Sequence, residues 1–258
     1  MKWICLFTFL IFQSLFSQEL EEIASYPLEA SRFIGIDGYD STYTIQNAVL
    51  HKTGPAQDFE FTDFSLGPIS TVDFINPLKV VVFYESTNTV VFLDNKLSEI
   101  ERLVLTNIPE LANISAAANA GNNRLWLFNT ASQQLELFNF RTTTNTTVSQ
   151  PFPGRFVDMV SNFNYCYVLT ENSLRTFNSY GSLLGEIPSE GFESIFLSDD
   201  TCVAFNKNGL YFLNDGAFNP IKLPPSENPI KDLHLSEEFL YIYDGILVHT
   251  FSLTQPKK

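Results

Sequence analysis

The chain repeats one short pattern four times, two strand-forming residues followed by Asp or Asn: Phe92-Leu93-Asp94, Leu137-Phe138-Asn139, Thr176-Phe177-Asn178 and Phe212-Leu213-Asn214. Each copy ends a run rich in Val, Leu, Phe and Tyr, which are residues that favour β-strands. The spacing of the closing residue is about 40 positions, and in an all-strand pattern that period is typical of the four-stranded blades of a β-propeller.

The pattern extends over six units. In the clearest one the predicted strands are Val72–Ile75, Lys79–Glu85, Thr89–Leu93 and Glu99–Leu105. The last unit, from Ile230, has only three strands, and Glu22–Leu28 has no partner of its own. Since closing a sheet removes exposed edges, we predict an all-β, six-bladed propeller in which this N-terminal strand completes the last blade.

The first 17 residues have the pattern of a secretory signal peptide. Lys2 precedes an apolar run from Trp3 to Phe16, and Ser14 and Ser17 offer a cleavage site. An uncleaved N-terminal anchor is the alternative, although the run is short for a span of roughly 20 apolar residues. We therefore predict a signal peptide over 1–17 and one propeller domain over 18–258, periplasmic or extracellular, with no direct membrane insertion.

The charge of the chain argues against a nucleic-acid partner. Its formal net charge is −14, from 29 acidic and 15 basic residues, and Lys and Arg do not cluster before Lys257-Lys258. Binding to phosphate backbones needs clustered cations. Excluding Cys5 in the predicted signal peptide, the cysteines are Cys166 and Cys202, one repeat apart on adjacent units. Such positions point the same way around a ring, so we predict two buried thiols and no disulfide.

Acidic residues recur in the predicted inner strands, which line the channel of a propeller. The candidates are Asp73, Asp158, Glu193 and Asp232, joined by His234, which shares a strand face with Asp232. A ring of carboxylates could bind calcium, lie in solvent, or accept hydrogen bonds from neighbouring backbone amides. The sequence has no nucleophile elbow and no closely spaced zinc ligands, so we predict no resident metal and no cofactor.

Aromatic residues are abundant, with 25 Phe and 10 Tyr, and most are expected between the blades. Four lie in predicted loops beside Pro, Gly or Asn: Phe152, Phe163, Tyr180 and Phe218. Exposed rings among polar residues favour a surface that binds another protein.

Three segments of the fourth unit resemble the repeats of NHL-type and related six-bladed propellers: Phe156-Val157-Asp158, Tyr167-Val168-Leu169 and the run from Leu174 to Gly181. The likeness covers five units and concerns the fold more than the function. The Phe16-Ser17-Gln18 ending resembles signal peptides of the Bacteroidota. In size, export signal and predicted fold, the chain is similar to accessory or plug subunits of the type 9 secretion translocon.

These observations favour a non-catalytic periplasmic module that binds a protein partner, and the resemblance implies an outer-membrane or secretion complex as that partner. The alternative is a metal-dependent propeller hydrolase or lactonase that uses the channel residues Asp73, Asp158, Asp232 and His234. The two functions make different demands on these side chains, because a metal site needs oxygen and nitrogen ligands that converge on one point.

Overall fold

The computed structural model describes residues 18–226 and 228–253, and it is a six-bladed β-propeller. The predicted signal peptide, residues 1–17, lies outside the described residues. The chain begins with β1 (Gln18–Glu19) and β2 (Glu21–Pro27), which join the last two blades. Each blade has four antiparallel strands, the first innermost and the fourth on the outside, and blade 5 carries an additional outer strand.

The first three blades follow in chain order. Blade 1 contains β3 (Arg32–Ile36), β4 (Thr42–Gln46), β5 (Val49–Thr53) and β6 (Asp58–Phe61). Blade 2 contains β7 (Thr71–Asp73), β8 (Val80–Tyr84), β9 (Thr89–Leu93) and β10 (Glu99–Val104). Blade 3 contains β11 (Ile114–Asn119), β12 (Arg124–Asn129), β13 (Gln134–Asn139) and β14 (Thr144–Thr147).

The remaining blades complete the ring. Blade 4 contains β15 (Phe156–Ser161), β16 (Tyr165–Thr170), β17 (Ser173–Asn178) and β18 (Leu183–Pro188). Blade 5 contains β19 (Ser194–Ser198), β20 (Thr201–Asn206), β21 (Gly209–Asn214) and β22 (Ala217–Lys222). Blade 6 contains β23 (Asp232–Leu235), β24 (Phe239–Tyr243) and β25 (Leu247–Ser252).

The predicted closure is confirmed. β2 runs antiparallel to β25 with Glu21 opposite Ser252 and Pro27 opposite Leu247, so the N-terminal strand is the fourth strand of blade 6. β1 adds a parallel fifth strand to blade 5, where it pairs with β22. The Tyr243 hydroxyl lies 3.2 Å from the carbonyl of Leu28 and 3.0 Å from that of Ala30, which further ties the last blade to the segment leading into blade 1.

The core is divided among the six gaps between neighbouring blades, and each gap holds one cluster of buried apolar side chains. β8 shows why its sequence is an unbroken apolar run. Val80, Val82 and Tyr84 pack toward blade 1, whereas Val81 and Phe83 pack toward blade 3. A strand covered on both faces cannot alternate apolar and polar residues, whereas the outer β10 exposes much of its surface.

Several local predictions are also confirmed. Oδ1 of Asp94, Asn139 and Asn178 each accepts a hydrogen bond from the backbone N–H two residues on, which sets the turn after the third strand. Cys166 and Cys202 are buried free thiols. Within the described ranges, no helix has the length and apolar character needed to cross a bilayer.

Candidate functional site

The strand order fixes which loops share a face of the ring. In each blade the connection from the first to the second strand and the turn from the third to the fourth strand lie on one face, which we call the upper face. It carries the first connections at 37–41, 74–79, 120–123, 162–164, 199–200 and 236–238. The turns from the second to the third strand lie on the opposite, lower face.

Three of the predicted channel acids link neighbouring blades. One carboxylate oxygen of each aspartate accepts a hydrogen bond from a backbone N–H in the inner strand of the next blade. The pairs are Asp73 with Asn119 (2.7 Å), Asp158 with Ile195 (2.9 Å) and Asp232 with Phe33 (2.9 Å). These bonds cross three alternate interfaces, between blades 2 and 3, 4 and 5, and 6 and 1. Capping of neighbouring amides, one of the roles that the sequence left open, is thus present at all three aspartates.

Burial changes the electrostatics of these groups. It raises the pKa of Asp73 and of Asp232, and it raises the pKa of Asp158 to about 6. The bonds from backbone amides act in the opposite direction but do not cancel the effect. Desolvation disfavours the ionised form of a carboxylate. Burial between two blades therefore raises the free energy of the ionised aspartate.

His234 and Asp232 lie on the same face of β23, as predicted, and both bond to β3 of blade 1. His234 Nε2 lies 3.0 Å from the Ile36 carbonyl. Its ring stacks on Tyr241 and tilts against Phe74, at 5.9 and 5.4 Å between centroids. Burial lowers the pKa of His234 to about 4. The imidazole is therefore neutral at pH 7, and its Nε2–H donates to the carbonyl.

Glu193 does not share this arrangement. The predicted inner strand starts one residue later, at Ser194, and the Glu193 side chain is exposed. The four other predicted site residues border the channel but make separate contacts. Over residues 18–226 and 228–253, His, Cys, Asp and Glu side chains form no group of three or more that could hold a metal ion.

The central channel itself is a cavity of about 1150 Å³ lined by the inner strands. Its upper mouth carries acidic residues, Asp40, Asp199, Glu237 and Glu238. Arg32 and Lys231 lie at the lower mouth, where they donate to the backbone carbonyls of Ile69, Ser70 and Ala30. The two cations of the channel lining therefore lie at the lower mouth, which also carries Glu85.

A second cavity of about 500 Å³ opens on the upper face, formed by loops of blades 2, 3 and 4. We call it the upper cleft. Its lining is polar and aromatic and contains no acidic side chain: Asn76, Lys79, Phe92, 119–124, Phe140, Phe163, Ser179 and Tyr180. Gly121, Asn122 and Asn123 have φ of 67°, 50° and 59°. Three successive left-handed residues form the turn between the first two strands of blade 3 at the cleft.

The two cations of the cleft have no carboxylate partner among the described residues. The Lys79 ammonium lies 4.5 Å from the centroid of Phe92 and 4.3 Å from that of Phe140. Arg124 Nη2 is 3.5 Å from the Ala120 carbonyl, and its Nε is buried with no hydrogen-bond partner. Burial and the charge of Arg141 lower the pKa of Lys79, and the Glu101 carboxylate, which binds Arg141 at 3.0 Å, opposes the shift without cancelling it.

The loop aromatics divide into two groups. Tyr180 is 83% exposed and Phe163 is 53% exposed, as predicted, and both line the upper cleft. The prediction for Phe152 is wrong, because its ring is buried against Phe128 and Phe177 between blades 3 and 4. Phe218 is partly buried, because its ring packs against Phe192 with 4.3 Å between the ring centroids.

Sequence reasoning missed Lys79 and Arg124 as site residues, although a signal was present. Arg124 lies opposite Asn139, the Asn that closes its repeat. Val80 pairs with Leu93, so Lys79, one residue earlier, is at the position opposite the closing Asp94. The two cations thus occupy the same repeat position on adjacent blades. Aligning the units at their closing Asp or Asn would have placed them together on the upper face.

Comparison with known proteins supports the fold without a family. No protein-family model matches the sequence, and no curated protein matches it. Among solved structures, a catalytically inactive virginiamycin B lyase from Staphylococcus aureus, solved with quinupristin, has a TM-score of 0.62 at 12% identity over 88% of this chain and 83% of that one. A chain of the mitotic checkpoint complex gives 0.58 at 10% identity, over 83% and 71%.

A third structure is PorZ, described as an essential bacterial surface component of the type IX secretion system of Porphyromonas gingivalis. Its TM-score is 0.51 at 13% identity, over 90% of this chain and 39% of that one. Propellers at such low identity share architecture and differ widely in function. The comparisons therefore identify the chain as a β-propeller.

Proposed function

We propose that this protein is an exported, non-catalytic β-propeller that binds another protein through its upper face. The observation that carries the proposal is the pair of exposed rings, Phe163 and Tyr180, that flank a polar cleft on that face. Tyr39, 68% exposed, and Leu78, 64% exposed, lie on upper-face loops of blades 1 and 2. Aromatic anchors beside polar groups are typical of protein-binding surfaces.

The non-catalytic role is supported by the contacts of the channel acids. Asp73 and Asp158 each accept two backbone N–H bonds, one within their own blade and one from the next. These oxygens serve the assembly of the ring, whereas a hydrolase would direct them at a metal or a substrate.

The partner belongs, in this proposal, to an envelope assembly. The signal-peptide pattern of residues 1–17 supports export to the periplasm or beyond. PorZ, a distant structural neighbour, is a surface component of a secretion system, and another neighbour is part of a multiprotein complex. We propose a bacterial, Bacteroidota-type host and a partner in the type 9 secretion machinery or another outer-membrane complex.

The test is site-specific crosslinking in the native host. A photoreactive phenylalanine analogue replaces Tyr180 on the upper face or, as the matched control, Ile246, which is 61% exposed on the lower face. We expect a discrete crosslinked partner, identified by mass spectrometry, from position 180 and none from position 246. Adducts of equal yield from both positions, or from neither, would refute binding through the upper face. N-terminal sequencing of the protein from the periplasm should start at Gln18.

A further inference from the structure

We propose that the upper cleft binds a carboxylate of an acidic peptide segment, with Lys79 and Arg124 as the groups that receive it. This inference rests on the proposed function, since it specifies which chemical group of the partner enters the upper face. The first argument is charge. The chain has a formal net charge of −14, yet the only ionisable cleft residues besides Tyr180 are two cations without an ion-pair partner in the described chain.

The second argument is unsatisfied hydrogen bonding. The Nε–H of Arg124 is buried without an acceptor, and its Nη2 has only a long contact of 3.5 Å to a carbonyl. A buried donor that lacks a partner costs free energy in the unbound protein. A guanidinium matches a carboxylate through charge-assisted bonds. A carboxylate that enters the cleft would give the terminal Nη groups of Arg124 a stronger acceptor than the 3.5 Å contact, whereas the buried Nε stays out of its reach.

The third argument concerns the lysine. The Lys79 ammonium lies against two phenylalanine rings, where a cation is attracted by the ring faces but is poorly hydrated. Its pKa is lowered mainly by burial, which means that the charge is costly where it lies. Glu101 offsets only part of this cost, because its carboxylate is paired with Arg141 and the pKa of Lys79 stays lowered. An anion from outside would offset the cost and gain affinity by doing so.

The same geometry favours a peptide over an acidic saccharide. The Lys79 ammonium covers the rings of Phe92 and Phe140, so the open aromatic rings of the cleft are those of Phe163 and Tyr180. Exposed rings beside polar groups are typical of protein-binding surfaces. The exposed amides of Asn122 and Asn123 form part of the cleft wall, and each offers a donor and an acceptor that match the backbone of a peptide. Tyr180 at the rim can cover an apolar side chain next to the carboxylate.

The experiment selects 12-residue random peptides displayed on phage against the folded mature chain. We expect selected peptides to be enriched in Asp or Glu beside an apolar residue. The best peptide is then made synthetically, and its affinity should fall at least about tenfold when its Asp and Glu are replaced by Asn and Gln. The unchanged peptide should bind the Lys79→Met/Arg124→Met protein at least about tenfold more weakly than the unmodified protein. Binding should weaken with salt.

The controls separate charge from folding. Lys79→Met keeps the aliphatic stem over the rings, and Lys207→Met removes an exposed lysine from the lower face. Arg124→Lys keeps a cation but loses the guanidinium fork, so its affinity should fall between those of the unmodified protein and the double variant. Thermal unfolding of each variant confirms the fold. No acidic enrichment, or equal binding to the double variant, overturns the proposal. So does charge-dependent binding of oligogalacturonate in place of peptides. Persistent crosslinking from position 180 in the double variant would reject this inference while leaving the proposed function intact.

Discussion

Asp158 should make the propeller more stable at mildly acidic pH than at neutral pH. Burial raises its pKa from 3.8 to about 6, whereas the N–H groups of Ile195 and Met159 and the charge of Arg32 oppose the shift. The folded state therefore holds the proton more tightly than the unfolded chain. The stabilisation is fully present below about pH 4 and is lost as the pH rises through about 6.

The magnitude follows from the shift. At about 1.36 kcal/mol per pKa unit, the full effect is about 3 kcal/mol, and about 1.4 kcal/mol of it falls between about pH 7.5 and about pH 5. Asp73 and Asp232 have pKa values raised by the same cause and add to the same trend. A comparison of variants is needed to isolate Asp158 from them.

The assay is urea unfolding at the two pH values. Asp158→Asn keeps one acceptor for Ile195 N–H and loses the one for Met159 N–H, at a cost of about 1 kcal/mol at both pH values. The gain in unfolding free energy on acidification should be about 1.4 kcal/mol smaller in this variant than in the unmodified protein. Asp58→Asn, an exposed residue on β6, should leave that gain unchanged. If Asp158→Asn and the unmodified protein respond equally to pH, Asp158 does not titrate as argued.

Three further predictions concern other contacts of the ring. Lys52→Met should lower the free energy of unfolding in urea by about 3–5 kcal/mol, because it removes the ammonium that lies 3.2 Å from Asp37, whose side chain is 1% exposed. A smaller loss in the double variant Lys52→Met/Asp37→Asn would confirm this cause, and an equal loss would contradict it. Tyr243→Phe should cost about 1–3 kcal/mol, since its hydroxyl contacts the Leu28 and Ala30 carbonyls, whereas Tyr39→Phe should be neutral. Deleting residues 18–27 should expose the edge of β25, so the variant should form oligomers that light scattering detects. A synthetic peptide of that segment should suppress the oligomers. A monomeric deletion variant would show that β2 is dispensable.

The architecture was predictable because the same sequence pattern repeats once in each of several blades. The closing Asp94, Asn139 and Asn178 mark the same turn in successive blades, and the unbroken apolar runs between them reflect strands covered on both faces. The missing fourth strand of the last unit pointed to β2 for the same reason. Regular features of the fold repeat, and repetition can be detected without knowing any contact.

The site was less predictable because contacts between blades do not follow the one-blade repeat: the aspartate bonds recur only at every second interface. Asp73 and Asp158 could be recognised as inner-strand acids, but whether each oxygen faces the channel or the next blade depends on the twist between two sheets. Phe152 follows Pro151 in a segment that reads as a loop, and only the packing between blades 3 and 4 shows that its ring is buried. The sequence pattern of a strand indicates which of its residues are buried, but it does not show that a loop residue is covered by a neighbouring blade.

The repeat also explains why the upper cleft lies at one point of the ring. The position that faces the closing Asn is Arg124 in blade 3 and Tyr165 in blade 4, and the register places Lys79 there in blade 2 and Thr201 in blade 5. Among blades 2 to 5, the adjacent blades 2 and 3 therefore present cations at this position on the upper face. The proposed binding of a carboxylate needs a cation at this position in two neighbouring blades. A substitution in one blade alone would not create the pair, so the cleft depends on residues that the repeat does not conserve around the ring.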